Sequence, residues 1–190
     1  YSAADHAADL CTESLGGTRP ALLLAFATEA HGADFEPLCA RLRERMEPRA
    51  FLGVVGSGAI SSRGAVESGH GLAVLAIHPR AAEVRIATAE LPTEELAEKL
   101  ALSARAVTFL FAGSEHPTLE PLLTRVDKDS GDWRAPIVGA AVRAGPVART
   151  RFVADDRAMT AGVCGASLAG DFEFDAWVSQ GCAAFGPTMV

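Results

Sequence analysis

Apolar residues come in two textures along the chain, and each predicts an element. Unbroken apolar runs over 21–28, 50–56, 71–77, 107–113 and 136–142 are bounded by glycine, proline or polar residues. Runs of that length read as strands, those at 21–28 and 50–56 as strands buried on both faces. Over 83–91 the texture changes. Val84 and Ile86 alternate with charged or polar neighbours, as in a half-buried or edge strand. Elsewhere the spacing is helical. Leu38, Leu42 and Met46 form one stripe over 35–46, with Arg41, Arg43, Glu44 and Arg45 largely off it. Residues 2–15 are alanine-rich, open on Ser2 as a cap and close on Gly16-Gly17. Thr93 caps a helix running to about residue 103, with Glu94 and Glu95 in its first turn. Pro117 opens another that continues to about residue 128. Residues 129–133 read as a turn, 143–156 as a long loop, and 160–168 and 174–181 as two further strands.

The same text recurs. Phe26, Ala27 and His31 return at Phe111, Ala112 and His116. Glu36-Pro37-Leu38 returns at Glu120-Pro121-Leu122, and Val55-Gly56 at Val138-Gly139. Self-similarity of this kind predicts an internally duplicated α/β fold with a mixed β-sheet and packed helices. The expected organisation is one domain over 1–190, made of a unit at 1–91 and a unit at 92–190. The seam falls near 79–92, and the two units share a sheet or pack sheets together. A ligand site would most naturally lie where they meet.

Composition narrows the possibilities. The chain has 190 residues, 49% hydrophobic and 22% charged, which suits a packed core and argues against disorder. Its net charge is −7, with 13 acidic and 8 basic residues in 1–95 and 11 acidic and 9 basic in 96–190. An acidic chain whose lysines are Lys99 and Lys128 is a poor match for a phosphate backbone, so no nucleic-acid partner is expected. No apolar run reaches the ~18 residues of a membrane span. The chain begins at Tyr1, as expected of a processed or trimmed fragment, without a secretory pattern at its start. Cys11, Cys39, Cys164 and Cys182 lack C-x-x-C spacing and read as thiols of a reducing, cytoplasmic compartment, not as a metal site.

Candidate chemistry concentrates after the second apolar run, at Gly53-Val54-Val55-Gly56-Ser57-Gly58-Ala59. Glycines leaving a buried strand let a ligand approach the backbone, whose N–H groups can hold an anion or carboxylate. The segment is neither a phosphate-binding P-loop nor a nucleophile elbow, because Gly-Lys-Ser/Thr and G-x-S-x-G are both missing. A tight strand-exit turn accounts for it equally well. Glu67, beside Ser68-Gly69-His70-Gly71, is placed either to hold a ligand amine or to bond loop N–H groups. His31 and His116 sit after equivalent strands, where capping or packing is the plainer role. His70 and His78 are expected to be exposed. Arg143, Arg149, Arg151 and Arg157 gather in the predicted loop and read as a solvated cluster, although arginines can also recognise carboxylate or phosphate. No pattern supplies Cys182 with a partner histidine, as a catalytic thiol would need.

Several of these pieces together resemble the FIST domain family. Ala25-Phe26-Ala27, the loop Gly56-Ser57-Gly58-Ala59-Ile60, Glu67 and the run at 71–77 resemble its N-terminal part. Val178-Ser179-Gln180-Gly181-Cys182-Ala183-Ala184-Phe185-Gly186-Pro187 is similar to the family's Q-G-C-R-P-I-G segment, which leads into its C-terminal part. The resemblance covers nearly the whole chain. It implies a non-catalytic sensory module of a signal-transduction protein, binding a small ligand such as an amino acid or similar small anion. On the leading reading the ligand contacts are expected at Gly56, Ser57, Gly58, Ala59, Glu67, Gln180, Gly181 and Cys182, largely through backbone groups, with no cofactor and no metal. Ala183-Ala184-Phe185 stands where the family pattern has Arg-Pro-Ile, so an arginine contact to an anionic ligand would be lost here. With its end at Val190, the chain is expected to lack most of the C-terminal part, which would leave a site shared between the parts incomplete. The alternative reading is a protein-interaction or substrate-recruitment module, as in F-box members of the family. A Cys182-dependent enzyme is the third.

Overall fold

The structure is a computed structural model and describes residues 2–88, 93–100, 106–114, 116–117, 119–129, 136–142 and 152–175. Helix α1 (Ala3–Ser14) opens on Ser2, whose hydroxyl accepts the Asp5 N–H while the Asp5 carboxylate accepts from the Ser2 backbone and hydroxyl. This reciprocal cap satisfies donors that a helix start otherwise leaves bare. Gly16 and Gly17, both at positive φ, turn the chain out of the helix. Strand β1 (Leu22–Thr28) follows, then a 3-10 helix (Glu29–Asp34), α2 (Phe35–Met46) and β2 (Ala50–Gly56). A short hairpin, β3 (Ala59–Ser61) and β4 (Gly64–Val66), leads to β5 (Leu72–Ile77) and β6 (Glu83–Thr88). Then come α3 (Thr93–Leu100), β7 (Ala106–Gly113), α4 (Leu119–Asp129), β8 (Ile137–Val142), β9 (Phe152–Ala154), β10 (Arg157–Met159) and β11 (Val163–Ala169).

The strands form two mixed sheets, ordered β10-β9-β2-β1-β5 and β6-β11-β7-β8, plus the β3-β4 hairpin. In the first sheet β1 and β2 run parallel, joined through α2; in the second, β7 and β8 run parallel, joined through α4. Alternation along each strand sorts the side chains into layers. Leu22, Leu24, Leu52 and Val54 of the first sheet share one core with Val107, Phe109, Cys164, Ala166 and Leu168 of the second. The opposite face of the first sheet, with Leu23, Ala25, Phe51 and Val55, packs on α1 and α2. Leu110 and Ala112, on the outer face of the second sheet, pack with Leu96 and Leu100 of α3 and Leu122 of α4. The result is four layers: helices, sheet, sheet, helices.

Several expectations need correction. The loop at 56–60 passes into strand β3 at Ala59. The predicted loop at 143–156 contains β9, and the strand expected at 160–168 begins at Val163, after the β10 strand. Three-residue strands are too short to show a period of two, so the sequence hid them. The expected strand at 174–181 is irregular at Phe174 and Asp175, and its remainder lies outside the described residues. So do the arginines at 143, 149 and 151; of the turn expected at 129–133, Asp129 is the last residue of α4 and the rest also lies outside the described residues, while Arg157 is exposed on β10. Strand register also separates two motifs that the sequence aligned. Thr28 pairs with Gly56, and Gly113 pairs with Val142, so Val142 stands where Gly56 does, while Gly139 pairs with Leu110. In both sheets, strands far apart in the chain also meet. β6 pairs with β11 in the second sheet, and β9 pairs with β2 in the first.

Candidate functional site

At the carboxyl ends of the two parallel pairs lies a cavity of about 480 Å³, between the sheets. Its lining is Phe26 of β1, Glu29, Val54 and Gly56 of β2, the exit loop Ser57-Gly58, Phe111 of β7 and Ala140, Ala141 and Val142 of β8. Crevices at the carboxyl ends of parallel strands are where α/β folds commonly receive ligands. The rings of Phe26 and Phe111 meet edge to face across the two sheets, 5.6 Å between centroids. They give the cavity an apolar floor.

The exit loop is positioned by close backbone packing. A Cβ on Gly58 would stand 3.1 Å from the Val66 carbonyl oxygen, so a side chain there would push the loop off the hairpin. Behind it, Thr28 holds the 69–71 segment onto the end of β1. Its hydroxyl donates to the Gly69 carbonyl at 2.7 Å and accepts the Gly71 N–H at 2.9 Å. The Gly71 carbonyl accepts both the Thr28 N–H (3.0 Å) and the buried His31 ring at Nε2 (3.2 Å). A carbonyl only accepts, so that contact places a proton on Nε2. His70 stacks edge-on against His31, with 5.1 Å between ring centroids. His31 is thereby a packing and bracing residue, as one of its two expected roles had it, and His70 and His78 are exposed.

The predicted site residues divide into three groups. Gly56, Ser57 and Gly58 line the cavity. Ala59 is buried at the start of β3, paired with Val66, and Glu67 is exposed beside the hairpin; neither lines the cavity. Gln180, Gly181 and Cys182 lie outside the described residues. Sequence reasoning missed Glu29, which follows β1 inside a 3-10 turn without periodicity to mark it. It also missed Phe111 as a wall residue, although the recurrence of Phe26 at Phe111 held that information.

Among the described residues, no group of three or more His, Cys, Asp or Glu is placed to hold a metal ion, and no helix is long and apolar enough to cross a membrane. Burial pushes the Cys39 and Cys164 thiols up to about 12 and raises that of Cys11, so these three remain protonated at neutral pH.

The model of the FIST N domain family matches residues 21–190, which takes in every strand above, the cavity and the Thr28 brace. The chain belongs to the FIST N domain family. Among curated proteins, none matches it. Within this FIST N domain, α1 precedes the matched span and packs on α2, where Arg41 and Arg45 both reach the Asp5 carboxylate, at 2.8 and 3.0 Å. The Ser2 cap and then the Arg41 contact hold that carboxyl at about 2.

Proposed function

We propose that this FIST N domain is a small-ligand-binding sensory module of a cytoplasmic signal-transduction protein, and that its ligand occupies the cavity between the two sheets. FIST domains generally serve signalling proteins as sensory modules. One observation carries the placement: an apolar-floored cavity opens where two parallel pairs of strands end, and Gly56, Ser57 and Gly58 line it. Amino acids and similar small anions are the class that the family resemblance implies. The two halves are read as copies of one α/β unit within a single domain.

Thermal unfolding against a panel of amino acids, amines, organic acids and nucleotides tests this. A ligand at 100 times its Kd adds about 2.7 kcal/mol, or roughly 5–10 °C for a domain of this size. Ser57 is exposed, so Ser57→Trp is expected to fold normally and to lose the shift by filling the cavity. An undiminished shift in that variant would sink the placement. Ile60, 81% exposed at the β3-β4 hairpin, favours the second reading, an interaction surface for a protein partner. Partner binding that Ile60→Asp abolishes, with no small molecule required, would favour that reading.

A further inference from the structure

We infer that the cavity selects a ligand that carries a protonated amine on an apolar body, with Glu29 as its counter-ion. This rests on the reading of the cavity as the ligand site. Among the described residues that line it, Glu29 is the charged one. Asp5, Glu44, Glu47 and Glu83 each have an arginine partner, and carboxylates without one among the described residues, such as Glu13, Asp34 and Glu67, are exposed. Glu29 is half-buried and makes no hydrogen bond or ion pair with a described residue. A carboxylate drawn partly out of water without a partner is stabilised by a cation that arrives there.

The rest of the lining points the same way. Phe26, Val54 and Phe111 offer an apolar surface for the body of the ligand, and aromatic faces attract a cation while offering an anion nothing. The net charge of −7 adds a general field that favours cations over anions. The small anion implied by the family resemblance is therefore the poorer match to these residues.

Three probes of one shape and different charge separate the possibilities: 2-phenylethylamine, 2-phenylethanol and 3-phenylpropionate, each titrated at pH 7 by calorimetry into the full chain. The amine is expected to bind about tenfold tighter than the alcohol, the effect of one charge-assisted hydrogen bond in a half-buried site. The carboxylate is expected to bind weakest. In Glu29→Gln the amine should fall to the level of the alcohol, while an unchanged Tm reports that the variant is folded. If the carboxylate binds tightest, or the order survives Glu29→Gln, the amine assignment is overturned. The cavity then still stands as the site, provided that Ser57→Trp abolishes binding of all three. If none of the three binds the unaltered chain, the cavity reading falls, and the amine assignment falls with it.

Discussion

Replacing Thr28 with valine keeps the branched shape and removes one hydroxyl, which makes it a clean test of the brace behind the cavity. Thr28 is 2% exposed, and its hydroxyl serves two groups at once. The Gly69 carbonyl, on an exposed residue, can turn to water when its donor goes, at a cost of about 0.5 kcal/mol. The Gly71 N–H cannot, because Gly71 is buried. An orphaned buried donor costs roughly 1–3 kcal/mol. The extra buried methyl returns up to about 0.8 kcal/mol. The expected net loss is about 2 kcal/mol, or roughly 4–8 °C in Tm for a chain of this length. Calorimetry measures the loss, and amide hydrogen exchange locates it. The Gly71 amide should exchange much faster in Thr28→Val and stay protected in Thr28→Ser, which keeps the hydroxyl. A Thr28→Val protein as stable as the parent, or one with an equally protected Gly71 amide, would refute the reasoning.

Two further predictions follow from the helical layer over the first sheet. A methyl on Gly53 would stand 2.8 Å from the Cys39 sulfur and 3.1 Å from the Phe35 ring, so Gly53→Ala should cost about 1–3 kcal/mol in urea unfolding, through overpacking of α2 against β2. Asp5 titrates near 2 in the fold against an ordinary 3.8, so its contribution is complete above about pH 4 and fades as the pH falls towards 2. Asp5→Asn should therefore lower stability at pH 7 and shrink the difference from the parent at pH 2, measured as Tm against pH.

Strands buried on both faces announced themselves as unbroken apolar runs, and α2 as a stripe ending at Met46, because each sits in an environment that one periodicity describes. The α/β class was legible on that ground. The layering was not: Leu22 and Leu23 look alike in sequence, and only the sheet sends one to its partner sheet and the other to the helices. The cavity was half legible. Gly56 and Gly58 stood out because glycine after a buried strand needs a reason. Glu29 did not, because a single carboxylate after a strand looks like any solvated residue until the strands place it. Glu67 drew attention through its glycine neighbours, but those glycines serve the Thr28 brace and leave Glu67 facing solvent.

The pairing of β2 with β9 has a consequence for how the chain comes into being. The Phe51 N–H is accepted by the Asp155 carboxylate, 104 positions later. Until that far stretch leaves the ribosome, one margin of β2 stands bare with its hydrogen-bonding groups unpaired, the condition that invites a neighbouring nascent chain to pair there instead. A truncated product ending before residue 152 would keep that margin permanently open. The last third of the polypeptide is thus the closing piece of the sheet begun by the first.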